Sequence, residues 1–208
     1  MARNTGPKCR LCRREGVMLY LKGSRCFTGK CAIKRRETPP GMHGWRRMRS
    51  KEYGVRLREK QKVKRWYGVF DRQFRRMFTM AERQKGNTGE NLLVLLERRL
   101  DSVLYWSGFA MSRAHARQMI NHGHVRINGR KNDVASALVS AGGEITAVER
   151  ESSQKMFKDN QEFPKDRVVP TWLDSTSEPA QVRVVDLPKR EDVPFDVHEL
   201  FVVEILKR

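Results

Sequence analysis

The sequence predicts an α+β protein: a cysteine-stapled N-terminal segment, then a small α-helical domain, then a helix–hairpin motif within a mixed α/β domain. Three observations carry this. All four cysteines of the 208-residue chain lie between positions 9 and 31. Apolar residues then recur at i, i+3 and i+4 through three successive stretches. After Gly108 the period shortens to two around Asn128-Gly129, the favoured two-residue hairpin turn.

Residues 1–45 show no sustained helical period and hold three of the eight prolines. An irregular segment is expected, ending in the turn chemistry of Thr38-Pro-Pro-Gly-Met-His-Gly44. A helical domain over 46–97 follows. Ser50 is expected to cap a helix to about Trp66 that Gly68 ends, with Tyr53, Leu57, Val63, Trp66 and Tyr67 as a thin apolar stripe. Asp71 reads as the N-cap of a second helix with Phe74, Met77, Phe78 and Ala81 on its buried face. Gly86-Asn-Thr-Gly89 breaks it. A third helix carries Leu93, Leu96, Leu100, Val103 and Leu104 and stops near Gly108, and the three should pack as one unit.

The domain over 98–160 opens with a short helix capped by Ser112 and ended by Gly123 in a left-handed conformation. His124–Ile127 and Arg130-Lys131 form the hairpin. Gly142-Gly143 turns the chain into a strand at Glu144–Val148, and residues 151–163 read as one more helix. A β-rich extension over 161–208 is expected, with strands at Gln181–Val185 and Leu200–Leu206 separated by Pro188 and Pro194. There is no internal repeat.

The net charge of +19 at pI 10.4 is unevenly placed. Residues 1–85 carry 26 Lys and Arg against 6 Asp and Glu, a net of +20, whereas residues 86–208 are near neutral at −1. Runs such as Arg13-Arg14, Lys34-Arg35-Arg36, Arg46-Arg47 and Lys64-Arg65 do not interleave signs, so a polyanion is the expected partner, nucleic acid ahead of an anionic membrane. The longest apolar run is five residues, Leu92–Leu96, and the first 30 residues hold no signal-like stretch. Membrane-spanning and secreted classes are therefore excluded and a cytoplasmic protein is expected.

Cys9, Cys12, Cys26 and Cys31 form two spaced pairs. Such spacing lets a short knuckle in a tight turn and a second pair complete a thiolate tetrahedron around Zn2+, or hold a 4Fe-4S cluster. A divalent cation offsets the repulsion of clustered thiolates, and disulfides fit a reducing compartment poorly. The segment is therefore read as metal-stapled, gaining rigidity from the ion where its core is poor.

In Ser112–His124, Ala116, Met119 and Ile120 form the core stripe. Arg113, Arg117 and Asn121 recur every four residues on another face, beside Gln118. Both guanidiniums are expected to reach one nucleic-acid phosphate surface without bracing the fold, so that replacing them should hardly move stability. His122, His124, Arg126, Arg130 and Lys131 extend the row of donors along the turn and hairpin. The histidines lack zinc-type spacing to other ligands, and His43 and His198 read as loop and surface residues.

Several of these stretches carry a resemblance. Arg98-Arg-Leu-Asp101, Gly108-Phe109, Ser112-Arg113, Ala116-Arg117, His122-Gly-His124, Ile127-Asn-Gly129 and Gly143-Glu-Ile145 resemble the small RNA-binding motif named after the fourth small-ribosomal-subunit protein. Cys9-Arg-Leu-Cys12, Cys26, Lys30-Cys31, Pro39-Pro-Gly41, His43-Gly44, Leu57-Arg-Glu-Lys-Gln-Lys62 and Tyr67-Gly68 are similar to the bacterial, cysteine-bearing form of that ribosomal protein family. The likeness runs from residue 3 to about 150 and more weakly to the C-terminus.

The resemblance implies a structural constituent of the small subunit that binds 16S rRNA early, nucleates assembly of the 5′ domain and influences decoding accuracy. It implies contact with the fifth small-subunit protein and proximity to messenger RNA at its entry path, with neither a membrane nor a second copy as partner. Candidate RNA contacts are Arg113, His115, Arg117, Gln118, Asn121, His122, Arg126, Arg130 and Lys131 in the motif. In the basic segment they are Lys34, Arg35, Arg36, Arg46, Arg47, Arg49, Lys51, Arg56, Lys60, Lys62, Lys64 and Arg65. The motif also occurs in pseudouridine synthases and some aminoacyl-tRNA synthetases, but no stretch is left for a catalytic domain, so no enzyme is expected. A zinc-bearing translational repressor or antitermination factor is the alternative.

Overall fold

A computed structural model describes residues 4–44, 51–161, 168–176 and 180–207. The chain divides into two compact units, Met1–Leu92 with Phe195–Arg208, and Leu93–Pro194. This grouping differs from the expected division at 45, 97 and 160.

In the first unit the cysteine segment is more helical than its sequence suggests. Helix α1 spans Lys8–Glu15 and ends at Gly16, whose φ of 71° is left-handed. A 3-10 turn covers Gly23–Cys26 and a single turn, α2, covers Ala32–Arg35. The predicted long helix is α3, Glu52–Trp66. Ser50 lies outside the described residues, and Lys51 stands at the N-cap without a side-chain bond. Gly68 ends α3 as expected: at φ 61° it lets its own N–H reach Arg65 O (3.1 Å) and that of Val69 reach Lys64 O (2.9 Å).

Helix α4 is Asp71–Glu82. Phe70, not Asp71, is its N-cap; Asp71 sits inside the first turn, where the positive end of the helix favours a carboxylate. Its expected face is buried in full, Phe74, Met77, Phe78 and Ala81 all being core residues. Along α3 only Val63, Trp66 and Tyr67 of the expected stripe are buried, while Tyr53 is exposed.

The end of the chain corrects the sequence reading. The strand expected at Leu200–Leu206 is a helix, α9, Glu199–Lys207. A short continuous apolar run does not distinguish strand from helix by period. Here Phe201, Val202, Ile205 and Leu206 fall on the sheltered side of a helix while Leu200 and Glu204 are exposed, and α9 packs along α3. The same return puts Phe195 flat against Trp66 (centroids 4.3 Å apart, 17° between planes), with Tyr20 edge-on at 5.9 Å.

In the second unit the predicted single helix to Gly108 is two. Helix α5, Thr88–Glu97, within which the boundary between units falls, and α6, Leu100–Trp106, are separated by Arg99 in an extended conformation (φ −66°, ψ 140°). The interruption opens backbone groups to another segment. Leu100 N–H donates to Ala137 O (2.9 Å), Asp101 N–H to Ala135 O (3.2 Å), and Arg98 O accepts from Val139 N–H (2.9 Å). The expected packing of three helices as one unit therefore fails, because α6 is built into the second unit.

Helix α7, Arg113–Asn121, leads into β1 (Val125–Ile127) and β2 (Arg130–Lys131), then β3 (Glu144–Ala147). Helix α8, Glu151–Gln161, falls where a helix over 151–163 was expected, positions 162–163 lying outside the described residues, and β4 (Leu173–Thr176) and β5 (Gln181–Val184) complete an antiparallel sheet of order β2-β1-β3-β5-β4. The β4 strand carried no clear sequence signal. Phe109 and Phe157, both fully buried, meet at 5.0 Å between α6–α7 loop and α8.

Phe74 is fully enclosed, so Phe74→Ala should lower stability by about 3–5 kcal/mol through lost burial and a cavity. Arg76→Ala, two residues on and exposed on the opposite face, should stay within about 0.5 kcal/mol. Urea unfolding of the full chain measures both.

Candidate nucleic-acid interface and cysteine cavity

The helix–hairpin element forms as its local chemistry requires. Ser112 Oγ accepts the His115 N–H (3.2 Å), capping α7, and Gly123 ends the helix at φ 74°. Asn128 (φ 49°) and Gly129 (φ 76°) make the hairpin turn, both central residues having the positive φ of a type I′ turn. Ala116, Met119 and Ile120 are buried as expected.

The two arginines expected to face RNA are instead structural. Arg113 is 6% exposed. Its guanidinium reaches Glu97 (3.5 Å) and Ser102 Oγ (3.2 Å) and lies 4.5 Å from the Tyr105 ring centroid. Arg117 donates to the fully buried Asp101 at 2.6 Å, and Asp101 also takes Arg99 through both oxygens (3.0 and 2.9 Å). Glu97 accepts the Trp106 indole N–H at 2.6 Å. Burial pushes the Asp101 carboxyl upward, but Arg117 and Arg99 together hold it below the usual range. The sequence showed that these arginines share a face; it did not show that two carboxylates would meet that face.

The outward edge of the element is carried by other residues. Gln118, Asn121, His122, Arg130 and Lys131 are exposed, whereas Arg126 is paired with Glu149 (2.6 Å). His115 is half-buried with Nδ1 unpartnered among the described residues, and burial lowers its pKa.

Much of the basic row on α3 is likewise engaged within the first unit. Lys60, 6% exposed, and Lys64 bond Asp71 (3.2 and 3.4 Å). Burial raises Asp71, yet Arg75, Lys60 and Lys64 bring its carboxyl below the ordinary value. Arg65 and Arg58 share Glu15, Arg56 bridges Glu52 and Glu204, and Lys62 pairs with Glu59 (2.8 Å). Lys34, Arg35, Arg36 and Lys51 are exposed, and Arg46, Arg47 and Arg49 lie outside the described residues. Sequence reasoning passed over Arg72 and Arg76, exposed on the α4 face opposite Phe74 and Phe78, and Arg83, exposed at its C-cap. The period that located the buried stripe also defines theirs.

All four cysteines line one cavity of about 10 Å³, together with Leu21, Ala32 and Ile33. Cys9 and Cys12 are one turn apart on α1 rather than in the expected tight turn, and Cys31 is the N-cap of α2. The thiols are free, and Cys26 Sγ accepts the Lys22 N–H at 3.4 Å. Burial pushes the Cys12 and Cys26 thiols up and the neighbouring cysteines add to this, as expected where sulfurs converge. No ready-made group of three metal-ligating His, Cys, Asp or Glu side chains stands among the described residues. In residue type the donor set, four cysteines lining one small cavity, suits a thiophilic ion.

Comparison with known proteins adds to this geometry. Residues 3–97 match the family described as ribosomal protein S4/S9 N-terminal domain, and residues 98–145 match the S4 domain. The chain is 53% identical to small ribosomal subunit protein uS4 of Halothermothrix orenii, over 208 residues and all of both chains. It is 50% identical to that of Thermoanaerobacter sp. and 49% to that of Acetivibrio thermocellus, again over the full length of both.

Removing either arginine leaves a buried carboxylate short of its partner. Arg113→Ala and Arg117→Ala should each destabilise by about 3–5 kcal/mol, seen as a lower urea midpoint. Because the folded Asp101 pKa is depressed, its contribution is present above the ordinary value of 3.8 and is lost as pH falls through the folded one. Acid titration of stability should therefore be shallower in Asp101→Asn than in the unaltered chain.

Proposed function

Because the chain belongs to the S4 family of small-ribosomal-subunit proteins, we propose that it is a structural, non-enzymatic part of that subunit and binds 16S rRNA there. The observation that carries this reading is the uninterrupted likeness to uS4 proteins from the first residue to the last. A separate regulator, the other reading the charge allows, would not account for relatives of one name matching the whole chain.

The exposed cations supply the physics. Arg72, Arg76 and Arg83 line one side of α4, and Arg130 and Lys131 extend from the hairpin of the second unit. Each phosphate they neutralise releases counterions, and a surface of this kind reads RNA shape and backbone without a base pocket. The buried arginines act one step back: they fix α7 so that Gln118, Asn121 and His122 stay on its outward edge. Within this reading the protein nucleates the 5′ domain, contacts the fifth small-subunit protein, lies near messenger RNA at its entry path and influences accuracy.

The cysteine cavity belongs to the same reading. Cys9, Cys12, Cys26 and Cys31 would hold a zinc ion, with a 4Fe-4S cluster as the alternative. Bound there, the ion would supply a structural cross-link and no chemistry.

Binding of the full chain to a 16S 5′-domain transcript should weaken steeply with salt. The triple change Arg72→Ala, Arg76→Ala and Arg83→Ala should reduce the slope of log K against log salt by about 2–3, and an unchanged slope would place the contacts elsewhere. Elemental analysis of purified protein should find about one zinc per chain, against about four irons for a cubane cluster. Cys12→Ser should lose the metal and open residues 8–35 to protease.

A further inference from the structure

At the end of α7 three side chains capable of positive charge converge. Gly123, in its left-handed conformation, turns the backbone so that the His122 and His124 rings lie 6.1 Å apart. The Lys131 chain crosses the same glycine: a Cβ there would meet Lys131 Cε at 2.4 Å and Nζ at 2.9 Å. The ammonium group therefore sits over the turn that joins the two imidazoles. The absence of a side chain at Gly123 leaves this approach open.

His124 is anchored from beneath. Its Nδ1 and the Oγ of Ser153, a fully buried residue of α8, are 2.9 Å apart. That contact engages Nδ1 and fixes the orientation of the ring. His122 is exposed.

The charges on the surrounding elements do not balance this group. From the link between β3 and α8, Arg150 adds a further positive charge close to His124. Glu149, the acid beside it in sequence, is already paired with Arg126 of β1 at 2.6 Å. The hairpin contributes Arg130 and Lys131, α7 contributes His122 itself, and α8 contributes Glu151 in its first turn with Lys155 following. Burial, then His122 and Arg150, lower the His124 pKa, so the imidazole is neutral near pH 7 in the absence of an anion.

We propose that His122, His124 and Lys131 form a proton-linked phosphate subsite, occupied by an RNA phosphodiester as the imidazoles take up protons. The inference rests on the RNA-binding reading above. A phosphate supplies the negative charge the cluster lacks, and by linkage the proton uptake that follows its binding makes affinity rise as pH falls. Lys131 provides the constant part of the attraction and the two histidines the variable part.

The test is binding of the full chain to a 16S 5′-domain transcript between pH 8 and 5.5 at fixed salt. Affinity of the unaltered protein should rise about tenfold over that range, corresponding to uptake of about one proton across the titration of the pair. In His122→Gln with His124→Gln the profile should be flat across the whole range, with affinity at every pH no higher than that of the unaltered protein at pH 8. Ring-proton NMR of the unaltered chain provides a second measurement that needs no variant: RNA should raise the titration midpoints of both histidines. If inorganic phosphate raises them equally, the anion cradle is supported and free phosphate also fits it; if only RNA does, the cradle is built for the polymer. A pH-independent affinity with unmoved midpoints would overturn the proposal while leaving RNA binding intact. Absence of binding at every pH would instead overturn the RNA-binding reading itself.

Discussion

Two buried carboxylates hold the second unit in register. Glu97 and Asp101 stand on either side of the interruption between α5 and α6, and between them they engage Arg99, Arg113, Arg117, Ser102 through Arg113, and the Trp106 indole. A carboxylate taken out of water without partners would be costly; Asp101 is met by two guanidiniums, and Glu97 by one guanidinium and the indole N–H. The satisfied network admits one placement of α7. It also gives a reason for the break at Arg99: an extended residue there lets the side chain double back onto Asp101 two positions later.

The first unit uses the same device nearer its surface. Glu15 gathers Arg58 and Arg65, and Asp71 gathers Lys60, Lys64 and Arg75. A composition that reads as a polyanion-binding surface therefore serves two ends, and part of the positive excess is consumed in holding α1, α3 and α4 together. Net charge reports the sum; only packing separates cations that brace from cations that face outward.

That distinction explains what was legible in the sequence. The α4 stripe, the Ser112 cap, the Gly68 and Gly123 terminators and the Asn128-Gly129 turn depend on residues within a few positions of one another, and each formed at its expected place. The roles of Arg113 and Arg117 depend on acids 16 residues away in each case, which no helical period encodes. The run Leu200–Leu206 is apolar enough for either strand or helix, and the presence of α3 beside it decides the outcome. The four cysteines line one cavity, and the setting of Cys9 and Cys12 on a helical turn was not visible in their spacing.

The return of α9 has a consequence for the order in which the molecule matures. Residues 195–207 complete a unit whose other members precede Leu92, so the second unit is inserted between two parts of the first. During synthesis at about 5–20 residues per second, the intervening stretch takes roughly 5–20 seconds to emerge. Throughout that interval α3 lacks the helix that packs along it, and Trp66 lacks Phe195. The second unit, contiguous in sequence, can close before this, whereas the more basic first unit is left open the longest while nascent. Its final folding is thereby tied to residues 195–207 rather than to those that precede the second unit.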